Sequence, residues 1–254
     1  MLGPSQRELL HHGGTEATWG NLGLWPVAPD ADAADYASAC RALALRVGQA
    51  AALGPRQTVL SLACGAGDEL ALWVAQFGVA QASGCEIDPA ARALALQTAG
   101  PRCSVSATPP EGRFDAVLCV DAAYHFSPRT DWLSETFARL QPGGRLAFTD
   151  LVLDGPRSLW LRGAARLCGV PAGDLCDAPA RAAQLQAAGF TDVQHERLDD
   201  EVLAGFVAFV RRQRLHIGRD AWGPGWRRVA ITAALIPPCR AAGLGYALWS
   251  ARKP

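Results

Sequence analysis

The chain has 254 residues, half of them hydrophobic, enough for one large buried core with additions rather than two independent domains. Lys+Arg and Asp+Glu both number 24, so the overall balance gives no field favouring nucleic acid or an acidic membrane. No stretch approaches the roughly 20 apolar residues of a membrane span, and no basic cluster leads into an apolar run at the amino terminus, so a cytoplasmic location without stable membrane insertion is expected.

In chain order, Trp19 to Trp25 is too aromatic for a solvated tail and reads as a lid segment, with Trp25 a candidate wall of a substrate pocket. Ala31 to Leu53 is rich in alanine and leucine and predicts a helix. Residues 1–56 are therefore expected to form a lid and helix, and 57–254 the core. From about residue 57 to 150, strand-length apolar runs alternate with amphipathic stretches, the pattern of βαβ units and a parallel sheet. The expected strands are 58–62, 82–86, 102–107, 114–120 and 145–150, with helices at 69–77, 89–98 and 132–140. A cap insertion is expected at about 151–189, then a strand over 190–198, a helix over 202–216 and a last strand over 244–251. The eight cysteines form no C-x-x-C pair and read as reduced core residues, so no metal site is expected.

Two signals carry chemistry. Val59 to Leu62 runs into Ala63-Cys64-Gly65-Ala66-Gly67 and then a helix: small residues let the backbone approach a ligand, and the helix start offers free N–H groups. A dinucleotide site would place a third glycine where Leu70 stands, which argues against NAD. Nineteen residues beyond Gly67, Glu86 closes the second strand, where a carboxylate can accept hydrogen bonds from both ribose hydroxyls of an adenosine. Asp88, just before Pro89, reads as a helix cap.

At these residues the chain resembles the class I S-adenosylmethionine (SAM) dependent methyltransferases, through Leu62 to Gly67, Glu86-Ile87-Asp88-Pro89, Phe114 to Val117 and Leu140 to Leu146. The resemblance implies a doubly wound, Rossmann-like α/β fold of seven strands, the last antiparallel, with a helical lid. It implies SAM as cofactor, held by Ala63, Cys64, Gly65 and Gly67 around the methionine moiety, Glu86 on the ribose, Ile87 against the adenine, and Val120 near the amino group through its backbone, with Asp121 a further cofactor-binding candidate. Ser106 and Ala107 stand near the adenine, where the family often has an aspartate. Two further departures are Ser61, where the family usually has an acid, and Ala63, where it usually has glycine.

Past the fourth strand come Tyr124 and His125, a pair similar to that of methyltransferases of quinones, tocopherols and sterols. A neutral imidazole beside the methyl can accept an acceptor's proton, and two roles are open to His125: that of base and that of positioning group. Trp160 and Trp222, with nearby arginines, are candidate walls for a flat or apolar acceptor. The expected function is methyl transfer to a nucleophilic atom of a small apolar or aromatic metabolite, with no nucleic-acid partner. Carbon methylation of an isoprenoid or quinone-like acceptor, and SAM binding without catalysis, are the alternatives.

Overall fold

The structure, a computed structural model, describes residues 18–26, 35–156, 158–216 and 224–254, the side chains of 216 and 224–226 excepted. Its centre is a seven-stranded sheet of β1 (Thr58–Leu62), β2 (Gln81–Cys85), β3 (Cys103–Ser106), β4 (Phe114–Cys119), β5 (Leu140–Leu153), β6 (Thr191–Arg197) and β7 (Leu244–Arg252). The spatial order is β3-β2-β1-β4-β5-β7-β6. The first five strands are parallel, and β7 runs antiparallel to both its neighbours, as expected from the sequence.

Val59, Leu60, Ser61 and Leu62 are all buried, as a central parallel strand covered on both faces must be. One face packs on α1 (Tyr36–Ala50) and α2 (Asp68–Phe77), with Leu43 and Trp73 fully buried there. The other packs on α4 (Arg129–Ala138) and α6 (Ala178–Ala187), through Leu133, Phe148, Leu185 and Trp249. Between these pairs, α3 (Pro89–Thr98) starts at Asp88, whose carboxylate accepts from the Ala91 N–H at 2.7 Å.

Boundaries shift where tertiary pairing extends or trims an element. β5 runs from 140 rather than 145, because its register against β4 jumps across a bulge and Gly143, at φ +78°, supplies the turn inside the strand. The expected helix over 202–216 divides into a wide turn, Asp199–Ala204, and α7 (Gly205–His216). Two more helices complete the lid: α5 (Leu159–Leu167) and α8 (Pro224–Ala241), the latter without any counterpart in the sequence reading.

β1 and β4 are adjacent, and the strand order reverses between them. Their following loops diverge and leave a crevice at the carboxyl ends of the strands, the usual ligand position in such sheets.

Candidate active site

The loop after β1 turns through three left-handed residues, Ala63 at φ +58°, Gly65 at +57° and Gly67 at +82°, before α2 begins at Asp68. A side chain on Gly84 would put its Cβ 2.5 Å from Cys64 Sγ, so a bare backbone in β2 is what lets this loop lie down on the sheet. Glu86 follows β2 and is buried. One of its oxygens accepts from the Gly65 N–H at 2.9 Å and the other from the Asp88 N–H at 2.8 Å. An ionised carboxylate has about four acceptor sites, so two remain for other donors. Beside it Ile87 is 83% exposed, an apolar shelf facing outward. Ser106 lies alongside through its carbonyl, which accepts from the Glu86 N–H at 3.0 Å, and the Ala107 carbonyl accepts from Cys85 Sγ.

Sequence reasoning missed Glu69. Its carboxylate is buried in the first turn of α2 and accepts a short hydrogen bond from the Ser61 hydroxyl, so the acid absent at position 61 is supplied from the helix instead. Burial pushes Glu69 up to about 8. Asp68 beside it accepts from Thr18, at 3.1 Å from the backbone N–H and 2.8 Å from the hydroxyl, which ties the amino-terminal segment across the loop. Glu69, Asp68 and Asp121 line one small cavity of about 30 Å³ with Ala63, Cys64 and Gly65, and no basic side chain among the described residues joins them. Such a donor set suits a cationic group.

After β4, Val120 is buried and Asp121 adopts φ +53°. The Asp121 carboxylate accepts from Leu22 N–H (2.7 Å), the Tyr124 hydroxyl (2.9 Å) and the Tyr246 hydroxyl (2.8 Å), while its own N–H donates to Thr149 Oγ1 at 2.7 Å. Burial and the Asp121 charge push both phenols far up, so each stays a hydroxyl donor. Tyr124, a candidate for chemistry in the sequence, thus donates its hydroxyl hydrogen bond to Asp121 and lays its ring 4.5 Å from His125. Tyr246 comes from β7 and was not anticipated.

Asp121 also lines a second, larger cavity of about 710 Å³. Its walls are aliphatic, Leu151, Leu161, Leu175, Leu235 and Ile236 among them, and α5 and α8 form its roof. His125 stands in its wall, with Nδ1 2.9 Å from the Gly169 carbonyl. A carbonyl only accepts, so Nδ1 carries the hydrogen and Nε2 is the proton-accepting nitrogen. Burial lowers His125 to about 4, which keeps the ring neutral near pH 7.

The tryptophans are placed differently from expectation. Trp25 is buried in the core, stacked on Phe209 at 4.6 Å, outside the cavity walls, because its flat ring fills the gap between the lid segment and α7. Trp160 is 48% exposed on the outer side of α5, one position from the wall residue Leu161. Trp222 lies outside the described residues.

A family model described as a methyltransferase domain, Methyltransf_23, matches residues 33–195. The erythromycin 3''-O-methyltransferase of Saccharopolyspora erythraea is 29% identical over 224 residues, covering 80% of this chain and 72% of that protein. The fold matches the [4+2]-cyclase SpnF at a TM-score of 0.75 and 22% identity, over 99% of this chain and 92% of that one. It matches the mycolic acid cyclopropane synthase CmaA1, complexed with SAH and CTAB, at 0.76 and 15% identity, over 99% and 94%. With the family model spanning well over half of its residues, the chain belongs to this methyltransferase family and is a SAM-dependent methyltransferase.

Proposed function

We propose that the enzyme methylates a hydroxyl oxygen of a bulky, largely aliphatic small molecule, with His125 as the proton acceptor. The observation that carries this reading is the position of Asp121, in the wall of both the small acidic cavity and the aliphatic cavity of about 710 Å³, with His125 in the wall of the second. Cofactor and acceptor would meet there. The erythromycin enzyme, a relative, is named as an O-methyltransferase, which agrees with oxygen as the atom methylated.

The residues present fit the cofactor. Glu86 would hold the ribose with its two remaining acceptor sites, Ile87 the adenine face, and Ser106 and Ala107 its edge. The Ala63 to Gly67 loop would hold the methionine moiety, with Cys64 and Val120 closing its apolar sides and the acids Glu69 and Asp68 at its ammonium end. When bound, SAM supplies an electrophilic methyl on a sulfonium. Asp121 orients the site by fixing Leu22, Tyr124 and Tyr246. His125 Nε2 takes the hydroxyl proton, and the largely aliphatic walls suit the apolar body of the acceptor.

The same walls would also accept an isoprenoid chain, for which carbon methylation is the second reading. Turnover of labelled SAM with hydroxylated macrolactones and with prenylated quinols, followed by NMR of the products, separates the two. A methyl ether supports the proposal; a new carbon–methyl bond overturns it in favour of the second reading, and tight binding of SAM without any product from either panel overturns both.

A further inference from the structure

The charge balance hides a strong segregation. Residues 155–169 and 205–241 together hold ten arginines and a single acid, Asp220, in a chain with no net charge. These stretches contain α5, α7 and α8, and α8 packs against both of the others. Arg162, Arg166, Arg211, Arg227 and Arg228 are exposed on them.

The exposed apolar residues fall on the same helices. Among the described residues seven large hydrophobic side chains are exposed, and five of them are Leu159, Trp160 and Leu167 on α5, Leu215 on α7 and Ile231 on α8. Leu159 and Leu215 are over four-fifths exposed. Single exposed leucines are ordinary, but five on one three-helix layer, interleaved with arginines, are not a random scatter. Leu167 and Ile231 also line the large cavity, as do Arg166 and Arg228, so the cavity reaches the surface on this face.

We propose that α5, α7 and α8 form a face that docks on an anionic lipid surface, with the mouth of the acceptor cavity turned toward the bilayer. Leucine and tryptophan projecting beside arginine is the composition of helices that lie in the headgroup region: the apolar side chains enter the acyl boundary while guanidinium groups pair with phosphates. Among the described residues no helix is long and apolar enough to cross a membrane, so the contact is peripheral. A second copy of the chain does not suit this face, since its arginines would meet the same arginines. The delivery of an apolar acceptor from the bilayer rests on the proposed function; docking does not.

The test is co-sedimentation of the full chain with vesicles of phosphatidylcholine alone and of an equal mixture with phosphatidylglycerol, at low and high salt. Binding to the mixed vesicles, weakened by salt and absent with phosphatidylcholine alone, is expected. The pair Arg162→Gln and Arg227→Gln should weaken binding about 25-fold, at roughly fivefold per arginine. The pair Leu159→Ser and Trp160→Ser should weaken it at least tenfold. None of these four residues lines either cavity, so S-adenosylhomocysteine affinity should stay unchanged and reports that the variants are folded. No binding to mixed vesicles, or binding that neither pair alters, overturns the proposal. So does a solution dimer that the Leu159 and Trp160 substitutions dissociate, which would assign the face to a second copy. The assay needs no turnover, so its failure leaves the methylation reading standing.

Discussion

Ala63 holds φ +58° with a side chain, a conformation that costs an L-residue about 1–2 kcal/mol, while glycine would lose roughly 0.5–1 kcal/mol of extra chain entropy. Ala63→Gly should therefore raise stability slightly, by about 0.5–1 kcal/mol in urea unfolding; a fall would mean that packing of the methyl outweighs the strain. Glu86→Ala should weaken S-adenosylhomocysteine binding roughly 10- to 100-fold by calorimetry, since charge-assisted hydrogen bonds are worth about 1.5–3 kcal/mol. An unchanged dissociation constant would place the ribose elsewhere. His125→Ala should lower kcat about 100-fold with little change in cofactor affinity. Because burial holds the ring near 4, the wild-type acid limb of kcat should lie near pH 4 rather than 6.5, and kcat at saturating cofactor should stay flat from about pH 8 to pH 5. A rise in KM alone would leave His125 a positioning group.

At the scale of elements, what was legible was whatever local pattern decides. The β1 loop, Glu86 after β2 and the Asp88 cap are each fixed by residues within a few positions, and the spacing showed them. Helix α8 was not anticipated from the sequence; it carries Pro237 and Pro238, which sit in its last two turns, where the helix ends at Ala241. The Asp121 to Tyr246 contact joins residues 125 apart and depends on β7 pairing with β5, which no local pattern records. Trp25 was misread for the same reason, since a tryptophan's neighbours are set by tertiary packing. A buried triad illustrates such long-range ties: Asp150 on β5 lies 3.3 Å from Arg129 on α4 and 3.1 Å from Arg181 on α6, and Arg129 also donates to the Ala123 carbonyl, in the turn that carries His125. Asp150→Asn keeps the shape but removes the buried carboxylate that pairs with both guanidinium groups. A loss of about 3–5 kcal/mol in urea unfolding is expected, and a loss below about 1 kcal/mol would show that water or other acceptors reach the arginines.

Over the whole molecule, the amino-terminal segment, α2 and the loop after β4 converge on one acidic cavity, and on the proposed placement of the cofactor that convergence would make its binding a proton-linked event. Glu69 sits at about 8 in the free protein, raised first by burial and also by the charges of Asp68 and Glu86, and opposed by the Ser61 hydrogen bond. At pH 7 it therefore carries a proton. The sign for stability follows: between the unfolded value of about 4.5 and the folded value of about 8 the native state binds more protons, so this group's contribution declines as pH rises through that window. Binding acts in the opposite direction. An ammonium group placed beside Glu69 favours the carboxylate, lowers its pKa and expels the proton, so affinity for S-adenosylhomocysteine should rise from about pH 6 to pH 8 and level off above it. Calorimetry at pH 7 in phosphate and in Tris should differ by the buffers' ionisation enthalpies times nearly one proton released. Glu69→Gln should bind with no proton release and no such pH dependence. If the wild-type enthalpies agree in both buffers, Glu69 does not face the ammonium, and the Ser61–Glu69 pair serves only to anchor α2 against β1.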